Sequence, residues 1–225
     1  MHIEPGLVTG AKVITGYATA ATAAVYALKL GWETLREKGA LSLVLRSVIA
    51  TVAVFSFFQI FPHYPVGVSE VHLILGSTLF LILGAAPAAF GLALGLLIQG
   101  LLFAPLDLPQ YGMNVTTLLV PLFALQALAS RIIAPHTPYV DLTYRQALAL
   151  STAYQGGVVA WVAFWAVLGQ GIGAESLTAI ATFGSAYMLV VLLEPLVDLA
   201  VLAGAKSLRG LAGSGIVTHR LHHAA

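Results

Sequence analysis

The chain has 225 residues, 59% of them apolar and only 8% charged, with a net charge of +1; a soluble domain carries about 25% charged residues. So little charge cannot clothe a water-facing surface, which excludes a soluble globular protein, and no nucleic-acid partner is expected. There is no cysteine, which removes disulfides, thiolate metal sites and thiol redox chemistry.

The uncharged runs from Val71 to Leu106 and from Gln146 to Ala174 exceed the ~20 apolar residues that span the hydrocarbon core as helix. They are rich in Leu, Ala and Gly and do not alternate, so helices rather than barrel strands satisfy the backbone. Cutting at Pro, Gly and charge clusters predicts seven spans, near 8–30, 42–61, 70–85, 87–104, 115–134, 146–169 and 177–204. The third is short, and Ala85, Ala86, Pro87 and Ala88 form the break that turns it into the fourth. No repeat, linker or low-complexity tract interrupts the chain, so residues 1–225 read as a single transmembrane domain of the all-α class, a bundle of about seven transmembrane helices in the lipid bilayer. The opening residues lack the basic leader and cleavage site of a signal peptide, and the expected mature terminus is Met1.

Orientation follows from the basic residues. Lys29, Arg36, Lys38 and Arg46 flank the first connection, Arg131 and Arg145 the fifth, and Lys206, Arg209 and Arg220 the tail, whereas the connections at 62–69, 105–114 and 170–176 hold no Lys or Arg. The expectation is a multi-pass protein of a bacterial inner membrane, N-terminus outside and C-terminus cytoplasmic. Met1, His2, Glu4, His63, Glu70, His72 and Asp107 then share the outer mouth, while His136, His219, His222 and His223 fall on the cytoplasmic side.

That outer cluster carries the chemistry. The Met1 amine, the deprotonated amide nitrogen of His2 and its ring Nδ1 can close fused five- and six-membered chelate rings on one ion, leaving one position of a nitrogen square for another imidazole. Ni²⁺ and Cu²⁺ favour that square, and low-spin Co²⁺ accepts it. The donors must shed protons, so affinity falls at acid pH. His72 is the leading candidate for the fourth donor and His63 its competitor; a hydrogen-bonded interfacial imidazole is the structural alternative at either.

Met1-His-Ile-Glu-Pro-Gly6, Pro65-Val-Gly-Val-Ser-Glu-Val-His-Leu-Ile-Leu-Gly76, Leu97-Ile-Gln-Gly-Leu-Leu-Phe103 and Tyr111-Gly-Met-Asn-Val115 resemble the CbiM/NikM family, substrate-specific components of energy-coupling factor cobalt and nickel transporters. The resemblance implies that the N-terminus inserts into the bundle and that Met1, His2 and His72 bind the metal. It also implies partners: a transmembrane coupling subunit, two cytoplasmic ATPase subunits and a small accessory membrane subunit. The family's common form has Ser-Gly-His before the third span, whereas this chain has Ser69-Glu70-Val71-His72, one residue longer and with an acid inserted. On a helix the extra residue would rotate His72 by about 100° or force a bulge.

Around these ligands, Glu70 either orients an imidazole or Lys12 or serves as an N-terminal helix acid. Asn114 either holds the terminus or caps span five, and Lys12 snorkels outward. His63 is a possible outer support of the site. Glu194 and Asp198, one turn apart on span seven, must face protein or water and are candidates for contact with a partner subunit. Small residues on span one (Gly16, Ala20, Ala24; Ala23, Ala27) and span four (Gly91, Gly95) mark helix-contact faces, internal or intermolecular.

No phosphate-binding Gly-x-x-x-x-Gly-Lys-Ser/Thr loop exists, so any ATP is hydrolysed by partners, and no enzymatic activity is expected. No prosthetic group is expected either; the ligand is the transported Co²⁺ or Ni²⁺. Two competing readings are weaker. A metalloenzyme built on His63, Glu70 and His72 lacks a His-Glu-x-x-His pair, and a self-sufficient permease would want ionisable residues in the middle of spans two to six. A retinal-type sensor would need a lysine between Ser176 and Ala205, where there is none.

Overall fold

Without water in the bilayer core, apolar runs of this length close their backbone hydrogen bonds within helices. The computed structural model describes residues 2–207 and contains seven α-helices among them: α1 (Lys12–Lys38), α2 (Ala40–Gln59), α3 (Gly76–Leu83), α4 (Ala85–Leu102), α5 (Tyr111–Ile132), α6 (Tyr144–Gln170) and α7 (Ala174–Ser207). All but α3 are long and apolar enough to cross a membrane. Large apolar side chains such as Ile14, Val25, Val44, Val52, Leu189 and Leu192 lie exposed on α1, α2 and α7, as lipid-facing residues do. The protein is an all-α, multi-pass membrane protein. Met1, Arg209, Arg220 and the tail histidines His219, His222 and His223 lie outside the described residues.

The third predicted span is corrected. Residues 70–85 do not form one helix: Tyr64–Val66 (β1) and Ser69–Val71 (β2) pair as an antiparallel hairpin, an extended stretch follows, and only the eight residues of α3 are helical. Ser69, Val71 and the β-branched neighbours Val66 and Val68 suit a pleated backbone. Gly67, at φ 60°, opens the two-residue hairpin loop, the place where a II′-type turn calls for glycine. The break before α4 is also narrower than Ala85 to Ala88. Gly84 alone makes it, at φ 94°, and Pro87 sits inside the first turn of α4, where its missing N–H leaves no bond unmade.

Two faces result. Lys12 Nζ donates to the carbonyl of Gly169 at 3.1 Å and Tyr17 Oη to that of Pro109 at 3.1 Å, which gathers the start of α1, the α4–α5 link and the end of α6. At the opposite face Arg46 Nη1 donates to the Leu83 carbonyl at 2.7 Å, closing the C-terminus of α3, and Gln146 Nε2 to that of Ile132 at 2.7 Å. Lys29, Arg36, Lys38, Arg46, Arg131, Arg145 and Lys206 all belong to helix segments nearer this second face.

Of the small-residue ridges, Gly16, Ala23, Ala27, Gly91 and Gly95 face inward, whereas Ala24 is exposed. A Cβ on Gly91 would lie 2.3 Å from that of Ala50, one on Gly95 2.7 Å from Val54 Cγ1, and one on Gly112 2.8 Å from the backbone of Gly16. Glycine thus lets α4 ride against α2 and α5 against α1. Glu194 and Asp198 are buried, at 0% and 2% exposure, so the expected partner contact is corrected. Glu194 accepts the backbone N–H groups of Ile74 and Leu75 and the Gln155 amide, while Ser77 donates its hydroxyl to Asp198.

Gly91→Val should destabilise the bundle by about 1–3 kcal/mol through overpacking against Ala50, read as a lowered thermal aggregation temperature in detergent. Because the chain has no cysteine, sidedness is directly measurable. Ile172→Cys, at a residue 79% exposed, should react with an impermeant maleimide in intact cells, and Lys38→Cys only after permeabilisation. The reverse pattern would invert the orientation.

Candidate metal centre

The hairpin builds one wall of the site and the N-terminal segment completes it. Ile3 bridges antiparallel to Ser69, with Glu4 N–H donating to Val68 O at 3.1 Å and Glu70 N–H to His2 O at 3.0 Å. The Ser69 hydroxyl also donates to His2 O, at 2.8 Å. The terminal segment is thus a third strand on the hairpin's edge. On its other side the Ile3 N–H donates to Asn114 Oδ1 at 2.7 Å, in buried surroundings. Asn114 lies within α5, whose N-cap is Gln110, so it holds the terminal segment and does not cap the helix. Pro5 and Gly6 then turn the chain so tightly against α6 that a Cβ on Gly169 would sit 2.1 Å from Leu7 O.

This framework buries His2 at 3% exposure and His72 at 1%. Their rings meet edge to face with centroids 5.5 Å apart, and Phe58 lies edge-on to His72 at 5.1 Å. Side chains two apart in extended chain share a face, so Glu70 and His72 point the same way. One Glu70 oxygen, Oε2, lies 2.6 Å from His2 Nδ1 and 2.8 Å from His72 Nε2. One ligand atom from each of His2, Glu70 and His72 falls within 4.8 Å of the others, a group that could hold a metal ion. Asp107 Oδ2, from the turn Pro105–Gln110, adds a second carboxylate 3.6 Å from His2 Nδ1.

Burial alone would raise the Glu70 carboxyl, but hydrogen bonds to His2 and His72 dominate and hold it well below the usual carboxylate range. Burial pushes His72 well below the usual imidazole range, an effect that Glu70 offsets only in part. His72 is therefore neutral, the form that binds metals, under all but acid conditions.

Of the residues singled out in the sequence, His2, Glu70, His72 and Asn114 come together, and Met1 lies outside the described residues. His63 stacks its ring flat on that of His72, centroids 4.8 Å apart and planes at 12°, with Nδ1 3.2 Å from the Phe61 carbonyl. It backs His72 rather than joining the group. Glu70 is neither a helix acid nor a partner of Lys12, which is engaged with Gly169. What the sequence reading missed was the spacing Glu70-x-His72: read as a helix it separates the two side chains, read as a strand it aligns them. Asp107, placed only at the outer mouth, proves to be a neighbour of His2, and Glu194 proves to anchor the two residues that follow Leu73.

The profile of a family described as CbiM, cobalt uptake substrate-specific transmembrane region, matches residues 2–210. A crystal structure of a truncated transition-metal transporter superposes with a TM-score of 0.64 at 18% identity, covering 92% of this chain and 97% of that one; at that identity the likeness is one of fold. No curated protein matches the chain.

Asn114→Ala leaves the Ile3 N–H buried without its acceptor, a loss of about 1–3 kcal/mol. Residues 2–8 should then exchange their amide hydrogens markedly faster while the α2 and α4 amides stay protected. Unchanged exchange at residues 2–8 would mean that Asn114 does not hold the segment.

Proposed function

The chain belongs to the CbiM family of cobalt uptake substrate-specific transmembrane regions, and from that premise we propose that it captures Co²⁺ or Ni²⁺ from the outer side of a bacterial inner membrane. In this reading it is the substrate-binding subunit of an ATP-driven energy-coupling factor importer. The ligands are the Met1 amine, the amide nitrogen and Nδ1 of His2, and the imidazole of His72. The observation that carries the proposal is that His2 is buried on a hydrogen-bonded terminal strand with Nδ1, the ring atom a terminal chelate requires, turned toward the group that includes His72 Nε2. Asn114 and the hairpin support the site by fixing the terminal backbone, which lowers the entropy lost when the ion binds. His63 supports it from behind by packing on His72.

The chain has no ATP-binding loop of its own, so uptake draws its energy from partners: a transmembrane coupling subunit, two cytoplasmic ATPases and a small accessory membrane subunit. The ion displaces protons as it binds, so capture weakens as pH falls.

An N-terminal extension converts the primary amine into a poorly coordinating amide. A verified N-terminal tag should therefore abolish metal binding by the purified protein and uptake by the assembled transporter, and a C-terminal tag should do neither. Full uptake with the extension in place would remove the terminus from the site. In the same titration His72→Ala should lower affinity by ~100-fold or more, beyond the ~10–100-fold range of outer supports, and His63→Ala should cost less. Equal losses would mean that the fourth donor has been misassigned.

A further inference from the structure

We propose that Glu70 is itself a ligand of the transported ion, an apical oxygen donor that makes a nitrogen square into a mixed nitrogen–oxygen site and selects Co²⁺ over Ni²⁺ and Cu²⁺. This rests on the capture of a divalent ion proposed above and goes beyond it in assigning selectivity to one side chain.

The geometry fits a shared coordination sphere. Donors at right angles around one ion, each about 2.1 Å from it, lie ~3.0 Å apart. Glu70 Oε2 is 2.6 Å from His2 Nδ1 and 2.8 Å from His72 Nε2, close to that spacing, and the two imidazoles, whose ligand atoms lie within 4.8 Å of one another, need only draw together on an ion that binds both. An oxygen adjacent to both imidazole nitrogens is where an apical donor stands relative to a plane that contains those two nitrogens.

The position of Glu70 is fixed by its backbone. It pairs with Pro65 across the hairpin, and its N–H donates to His2 O at 3.0 Å. Its side chain therefore leaves the hairpin on the face that carries His72, where the carboxylate meets both imidazoles. Its hydrogen-bond and ion-pair partners among the described residues are the two imidazoles; Lys12, the cation that the sequence offered for it, is bonded to Gly169 instead. A carboxylate in a half-buried site, whose side-chain partners among the described residues are two imidazoles that can themselves be ligands, is complementary to a doubly charged ion. Asp107 Oδ2, 3.6 Å from His2 Nδ1, adds negative charge on the same side.

Electron count turns the added oxygen into selectivity. In a field of four nitrogens Ni²⁺ pairs its eight d electrons and prefers a plane with no fifth ligand, and Cu²⁺ holds an apical oxygen only weakly. Co²⁺, with seven d electrons, takes a fifth or sixth donor readily. An oxygen held over the plane thus favours Co²⁺ over the two ions that bind a bare nitrogen square best.

The test uses the full chain with a C-terminal tag, purified in detergent, and competition among Co²⁺, Ni²⁺ and Cu²⁺ for the native protein, Glu70→Gln and Glu70→Asp. Glu70→Gln should lower Co²⁺ affinity by ~10-fold or more and Ni²⁺ affinity by no more than ~3-fold, whereas an outer support would cost every ion alike. The visible d–d bands of bound Co²⁺ should shift in both variants. If Glu70→Gln does not fold, the Co²⁺ spectrum of Glu70→Asp, which keeps the charge but withdraws the oxygen by one methylene, carries the test. Equal losses for Co²⁺ and Ni²⁺ with unshifted Co²⁺ bands would overturn the ligand role and leave metal capture standing. A native chain that binds none of the three ions would overturn both.

Discussion

Backbone that is not helical at the depth of a membrane protein must find a partner for every N–H and C=O from somewhere else in the fold. Residues 60–75 face that demand in full, because they are extended or turning where the neighbouring chain is helical. The hairpin satisfies its own inner edge, residues 2–4 satisfy the outer one, Asn114 takes the remaining Ile3 donor, and Glu194 takes Ile74 and Leu75 where the chain bends through a left-handed Leu75 into α3. Each solution helps to fix a residue of the candidate site. The segment that would be a liability in lipid is the one that carries His72 and Glu70.

The same low-dielectric setting governs the charges. Burial opposes charge on both the His72 imidazole and the Glu70 carboxylate, and hydrogen bonding within the His2–Glu70–His72 unit offsets that cost. Phe58 and His63 press on the rings from outside the unit, limiting how far either can turn away.

Six of the seven predicted spans match helices to within a few residues at most boundaries, since long uncharged runs are a physical signal that survives without tertiary context. The largest boundary difference is at α1, which continues to Lys38 because Glu33, Arg36 and Lys38 extend it past the apolar run. The third span failed for an instructive reason. Val68 to Leu83 is apolar enough to be either helix or strand, and periodicity alone does not arbitrate short apolar runs. What settles it is a partner from the first residues of the chain, which no local window contains. Glu194 and Asp198 were recognisable as costly residues, but their burial against Ile74 and Ser77 depends on how α6 and α7 close around α3, and the sequence does not carry that.

The terminal strand also imposes an order of events on biosynthesis. Residues 2–8 leave the ribosome before any of their partners exist: Val68 to Glu70 follow after some sixty residues, Asn114 after more than a hundred, and Gly169 later still. Contacts this distant in sequence form late and slowly. The segment therefore waits unpaired while the helices up to α6 are laid down around the space it will fill. The candidate site is thus closed late in folding, by residues made long before their partners.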